Sequence, residues 1–199
     1  MEMGVLAFQG SVAEHAGAVQ EAARRLGIEC RIVEVRTKSD LKKLDGLIIP
    51  GGESTTMYKL CGREGMLEEM RGVRGIFGTC AGAIMLAKRI HNEEEGQKTL
   101  ALMDIEIDRN AYGTQAESFE EQIPVRFGTP NTEPKTINAI FIRAPRIKSI
   151  GAGVRTLAKR GDETIACEQR VSGRFHMATC FHPELGCTVF HEHFIRALL

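Results

Sequence analysis

Apolar and polar positions follow two rhythms along the first ninety residues. Met3–Gln9 (MGVLAFQ) is a short, mostly apolar run closed by Gly10, which fits a buried strand. Over Glu14–Leu26 the apolar positions become Ala16, Val19, Ala22, Ala23 and Leu26, the spacing of one helix face, and Gly27 supplies a C-cap signal. Glu29–Val35 alternates as a strand does. A short helical stretch leads to Gly46–Ile49 (GLII), a further buried strand that ends at Pro50-Gly51-Gly52. The pattern then predicts one or two helices over Thr55–Gly72, broken near Gly62, a strand at Gly75–Gly78 and a helix over Gly82–Ile90. Strands alternating with helices imply βαβ units and a parallel sheet.

The second half reads differently. Leu100–Ile107, Ile123–Phe127, Ala139–Ile142, Val154–Ala158, Thr164–Glu168 and Phe175–Phe181 have strand patterns punctuated by Gly, Pro and Asn, with a loop-rich patch at Gly128–Lys135. Thr188–Leu198 closes the chain as a helix, with Val189, Phe190, Phe194 and Ile195 for the core. No repeat, low-complexity tract or linker interrupts the pattern. The expectation is one α/β domain over residues 1–199, helices on both faces of a mostly parallel central sheet, and additional antiparallel strands late in the chain.

Composition narrows the function. With 43% hydrophobic and 26% charged residues, the 199-residue chain can bury a substantial core. Lys plus Arg and Asp plus Glu number 26 each, and the longest basic clusters are pairs such as Arg24-Arg25 and Lys42-Lys43. That argues against nucleic acid and for a small molecule or another protein as partner. The opening MEMGVLAFQG lacks the features of a signal peptide, and no apolar run approaches the length of a membrane span. A cytoplasmic location is expected, with the six cysteines reduced.

One of those cysteines stands apart. Gly78-Thr79-Cys80-Ala81-Gly82 lies between a strand and a helix and has the form of a nucleophile elbow with Cys in place of Ser. So tight a reversal strains its central residue, and glycines two before and two after make room for it. The side chain then projects at the positive end of a helix, which favours a thiolate. Alone, the motif fits a core cysteine among small residues equally well. A second constellation, His182-Pro183-Glu184, tips the balance. Residues two apart on an extended segment share a side, and Pro183 holds its predecessor extended, so Glu184 can orient His182 toward the thiol. Cys, His and a carboxylate in these roles form a triad recognised by geometry rather than chain order.

With both motifs present, the chain resembles the class I glutamine amidotransferases, whose fold is flavodoxin-like. Further matches narrow the resemblance to the family of glutaminase subunits of pyridoxal 5′-phosphate synthases. They are Val5–Gly10 (VLAFQG) with Glu14-His15, Pro50–Thr56 (PGGESTT), the elbow, Arg109–Gly113 (RNAYG), Phe141–Pro145 (FIRAP) and His182–Leu185 (HPEL). The chain departs from the pattern at Ala83, at Gly186-Cys187 and in a longer stretch over Gly128–Asn138. The resemblance implies glutamine hydrolysis by Cys80, His182 and Glu184. It places Gly52, Glu53, Ser54, Arg109, Ile142 and Arg143 at the substrate, with an arginine for the carboxylate. Backbone N–H groups of Gly51, Gly52 and Ala81 are candidates for the oxyanion hole, with Gln9 as a helper.

No cofactor and no metal are expected; His191 and His193, two apart on a helix, face different ways. Cys30, Cys61, Cys167, Cys180 and Cys187 read as packing residues, and His15 as lining a partner contact. The chain carries no phosphate loop, dinucleotide fingerprint or acceptor domain that could use ammonia. The resemblance therefore implies a (β/α)8-barrel synthase subunit in a hetero-oligomeric complex. The rival readings are a glutaminase subunit for histidine or another biosynthesis, which usually carries a Cys-Leu-Gly-x-Gln elbow, and a cysteine peptidase or stress-response protein on a related fold.

Overall fold

The computed structural model describes residues 1–93, 96–109, 118–128 and 131–199. Its elements run β1 (Glu2–Leu6), α1 (Val12–Leu26), β2 (Arg31–Val35), β3 (Gly46–Ile49), α2 (Ser54–Arg63), α3 (Leu67–Gly72), β4 (Gly75–Thr79), α4 (Ala81–Leu86), β5 (Ala87–His91) and β6 (Met103–Asp108). They continue with β7 (Phe119–Val125), β8 (Lys135–Phe141), β9 (Arg146–Ile150), β10 (Val154–Arg160), β11 (Glu163–Val171), β12 (Arg174–Thr179) and α5 (Val189–Ala197).

Among the described residues, nine strands form one sheet in the order β2-β1-β3-β4-β12-β11-β10-β7-β8. The first five are parallel: β1 pairs with β2 and β3, β3 with β4, and β4 with β12. From β12 outward every pairing is antiparallel. The architecture is thus a large mixed sheet with flanking helices, its parallel half built mainly from the N-terminal βαβ units. A separate three-stranded sheet joins β5, β6 and β9.

Burial follows position in the sheet. Every residue of β3 and β4 is buried, because helices cover both faces, and these strands read as unbroken apolar runs. At the far edge β7 and β8 alternate buried and open positions, as one-sided antiparallel strands do. The crossover β1-α1-β2 and the crossover from β3 through α2 and α3 to β4 run in opposite directions across the sheet. Right-handed connections then set α1 and α2 on opposite faces. Helix α5 packs against α1, and α4 against α2. Phe77 of β4 lies wholly buried beneath α5, its ring 5.7 Å from that of Phe194.

Two stretches depart from the sequence pattern. The helix expected over Gly82–Ile90 stops at Leu86, and Ala87–His91 becomes β5, parallel to β6. Arg146–Ile150, given no element above, is β9, antiparallel to β6.

Candidate active site

The carboxyl ends of β1, β3, β4 and β12 converge on one rim of the sheet, where open α/β folds bind ligands. Cys80 follows β4 there with φ 50° and ψ −106°, a strained conformation for a non-glycine residue. Its N–H donates to the Thr179 carbonyl at 2.8 Å, tying the elbow to the neighbouring strand β12. The two elbow glycines are dictated by contact. A Cβ on Gly78 would strike the Gly82 carbonyl group, and one on Gly82 would strike the Ile49 carbonyl of β3. The Cys80 thiol is nearly buried and faces the Ile142 carbonyl at 3.8 Å.

His182 leaves the end of β12, and its N–H donates to the Ile140 carbonyl of β8 at 2.8 Å. Its Nδ1 lies 2.8 Å from Glu184 Oε1, and Cys80 is the other electrostatic neighbour of its ring. The His182–Glu184 contact forms, but not along an extended segment: Pro183–Leu185 is a turn of 3-10 helix, and the two side chains meet across it. Burial by itself would lower the imidazole pKa. The hydrogen bonds and charges of Cys80 and Glu184 outweigh it and raise the value to about 10, so His182 is held as imidazolium at neutral pH. Gly51 packs against this ring; a Cβ there would sit 2.5 Å from His182 Cε1.

A polar cluster borders the same rim. Glu53 is the N-cap of α2, accepting from the N–H groups of Thr55 (3.3 Å) and Thr56 (2.7 Å). Arg109 Nη2 reaches Glu53 Oε1 at 3.4 Å, while Arg109 Nη1 donates to Gln97 Oε1 at 2.9 Å. Gln97 Nε2 in turn donates to Ser54 Oγ at 3.1 Å. Gly52 has φ 143°, which favours glycine, and Gln9 Nε2 donates to the Glu53 carbonyl at 2.9 Å beside it. Ile142 contributes its backbone oxygen, and Arg143 adopts φ 47° with an exposed side chain. Of the Arg109–Gly113 motif, residues 110–113 lie outside the described residues.

Residues 5–199 match the model of the SNO glutamine amidotransferase family. The chain belongs to that family. Among its relatives, a protein of Oenococcus oeni named pyridoxal 5′-phosphate synthase subunit PdxT is 41% identical over 98% of this chain and 96% of its own. One of Methanosarcina acetivorans with the same name is 42% identical over 100% and 99%. A solved structure described as a glutamine amidotransferase aligns with a TM-score of 0.80 at 40% identity, covering 98% of both chains. A putative GMP synthase subunit of Thermoplasma acidophilum, 19% identical with a TM-score of 0.63, shares the fold.

As a member of the glutamine amidotransferase family the chain is an enzyme, and peptidase or stress-response readings fall away. Two features of this site were not anticipated from sequence. Gln97 joins Ser54 to Arg109 from a segment with no motif of its own. His15, expected at a partner contact, is instead fully buried, 3.4 Å from Glu184 Oε2, 3.1 Å from Thr79 Oγ1 and 3.0 Å from His191 Nε2. His191 and His193 diverge: the first points into the core at His15, the second to Glu168 at 2.5 Å. Among the described residues no group of three His, Cys, Asp or Glu side chains is placed to hold a metal. All six cysteines are free; Cys61, Cys167 and Cys180 are buried, and Cys30 and Cys187 are partly exposed against the core. No helix among the described residues is long and apolar enough to cross a membrane.

Proposed function

We propose that this chain, as one domain over residues 1–199, hydrolyses L-glutamine to L-glutamate and ammonia. The ammonia passes to the synthase subunit of a pyridoxal 5′-phosphate synthase. What supports the chemistry is the placement of Cys80 after β4 and of His182 after the neighbouring β12 at one sheet rim, with His182 Nδ1 2.8 Å from the buried Glu184 carboxylate. Cys80 as thiolate attacks the carboxamide carbon, and the carbonyl electrons move onto oxygen. N–H groups of Gly51, Gly52 and Ala81 receive that oxyanion. Collapse of the tetrahedral adduct breaks the C–N bond as His182 protonates the departing nitrogen, releasing ammonia and leaving a thioester. Neutral His182 then takes a proton from water, which attacks the thioester. Glutamate leaves and the thiolate–imidazolium pair is restored. Glu184 orients the ring throughout.

Gly52, Glu53, Ser54, Arg109, Ile142 and Arg143 hold glutamine in this reading, with an arginine opposite the α-carboxylate. The steps draw on side chains and backbone alone, without cofactor or metal. Ammonia at neutral pH is mostly protonated, so delivery to a docked partner is the productive arrangement. The names of the relatives support a pyridoxal 5′-phosphate synthase as that partner, in preference to histidine biosynthesis. The finer reading is a (β/α)8-barrel subunit that joins ammonia to a pentose and a triose phosphate, in the cytoplasm, within a hetero-oligomeric complex. The test is glutamate release by wild type and Cys80→Ala, with and without that subunit. Activity that rises with the subunit and disappears in Cys80→Ala is expected. Activity surviving the substitution would overturn the assignment of the nucleophile, and a wild type silent with the subunit would overturn the partnership.

A further inference from the structure

The triad carboxylate has two oxygens, and only one has been accounted for. Glu184 Oε1 holds His182, whereas Oε2 is buried and makes no well-formed hydrogen bond among the described residues. What faces Oε2 is His15 Nε2 of α1, at 3.4 Å. That same nitrogen is 3.1 Å from Thr79 Oγ1, and the opposite ring atom, Nδ1, is 3.0 Å from His191 Nε2 of α5. Both histidines are fully buried.

We propose that His15, held in place by His191 and Thr79, is a positioning residue that fixes the triad carboxylate by presenting its Nε2–H to Glu184 Oε2. The inference rests on the triad reading above and extends it by one layer of the fold.

Proton accounting decides the direction of the chain. If His15 carries its proton on Nε2, that N–H faces Glu184 Oε2 and Thr79 Oγ1, and Nδ1 is free to accept from the N–H of His191 Nε2. His191 Nδ1, which has no partner among the described residues, is then a bare lone pair in an apolar wall. The reverse order sets a lone pair of His15 against a carboxylate and strands the Nδ1–H of His191 without an acceptor. The first order leaves one buried polar atom unpaired and the reverse leaves two, so the first order is selected. Both rings are neutral. Burial, chiefly, and the nearby imidazoles of His191 and His182 hold His15 well below its ordinary value, and burial holds His191 at about 3. The pair thus supplies a dipole to Glu184 without adding a second cation beside His182. Other titratable groups around the carboxylate are Cys187 just after the same turn, Cys80 beyond the imidazole, and Glu14, Glu21 and Arg25 of α1, which line a cavity with Glu184. The 3.4 Å separation is a loose, mainly electrostatic contact.

The experiment measures kcat/KM against pH for the complex with the synthase subunit, using wild type, His15→Leu and His15→Gln. The amide N–H of the latter can stand near the Nε2 position. A proton resonance of His182 Nδ1–H is followed in the same variants by NMR, which needs no turnover. His15→Leu is expected to lose about tenfold or more in kcat/KM, the scale of one hydrogen bond to a charged group, with KM little changed. The pH limb assigned to His182 should shift and its resonance move upfield, and His15→Gln should restore most of each. His191→Phe, which keeps a ring in the aromatic cluster, should shift limb and resonance in the same direction and covers the case in which His15→Leu does not fold. A limb and a resonance that stay put in folded variants, or equal losses in His15→Leu and His15→Gln, would overturn the proposal. Cys80→Ala run alongside separates this from failure of the triad reading, since only that failure leaves Cys80→Ala active.

Discussion

Gly51 shows how little freedom individual positions have around the imidazole. Its backbone tolerates other residues, yet a methyl group there would press on His182 Cε1 from 2.5 Å. Gly51→Ala should therefore leave the fold intact and displace the ring. A misplacement near 1 Å at a reacting group is worth about 100-fold in rate. The expected outcome is a fall of that order in glutamine hydrolysis, with circular dichroism and the unfolding midpoint close to wild type. Wild-type activity in Gly51→Ala would mean that the ring position is not critical. At this scale the sequence revealed the residue types with constrained chemistry: the Gly-x-Cys-x-Gly elbow and the His-Pro-Glu turn. It left Gly51's contact with His182 hidden, because 131 positions separate them and nothing in Pro-Gly-Gly names its neighbour. His15 and Gln97 were obscure for the same reason, their partners Glu184, His191 and Ser54 lying far away along the chain.

Among the elements, α2 joins stability to substrate binding through a single carboxylate. Glu53 caps the helix and also meets Arg109. Removing an N-cap acceptor is worth about 1 kcal/mol. Glu53→Ala is expected to lower the unfolding midpoint by a few degrees and, by loosening Arg109, to raise KM for glutamine. Calorimetry and a substrate titration read the two effects separately, and an unchanged KM would assign Glu53 to the helix alone. The pattern of apolar positions located β3, β4, α1 and α5 closely because these elements meet the core through long, consistent faces. It failed at β5, where the apolar run AIMLA leads from α4 into the strand without a turn signal. Pairing with β6 overrides local preference from Ala87 onward. It failed again at β9, whose RIKSI shows little alternation and takes its strand form from β6.

The molecule as a whole is built to resist acid only down to a point. His15, His176 and His191 are buried and held neutral by burial, His176 at about 4 and His191 at about 3. In the unfolded chain each takes up a proton below about pH 6.5. The unfolded state then binds more protons at these three rings than the folded one, so their contribution to stability is full above about pH 6.5 and declines as pH falls toward the folded values. Each group removes about 1.4 kcal/mol per pH unit, and the three together roughly 4. Against a typical stability of about 5–15 kcal/mol, unfolding should set in around pH 5. Urea melts at pH 7.5, 6 and 5 check the slope, and His176→Gln should flatten it by about one third of that total. A flat profile across this range would show that these rings take up protons in the folded state. The mixed sheet was anticipated in its halves, but the place of β12 was not. Only the folded sheet reveals that a late strand sits between β4 and β11.

That insertion gives the enzyme a timetable. Cys80 is borne by β4, made early, but the strand that carries His182 to its side is β12, made late, and it enters the middle of the sheet rather than an edge. A chain still emerging from the ribosome already has its thiol, yet nothing beside it to arm it. The nucleophile becomes competent only when the last strand slides into its slot, so an unfinished or prematurely stopped polypeptide cannot squander glutamine.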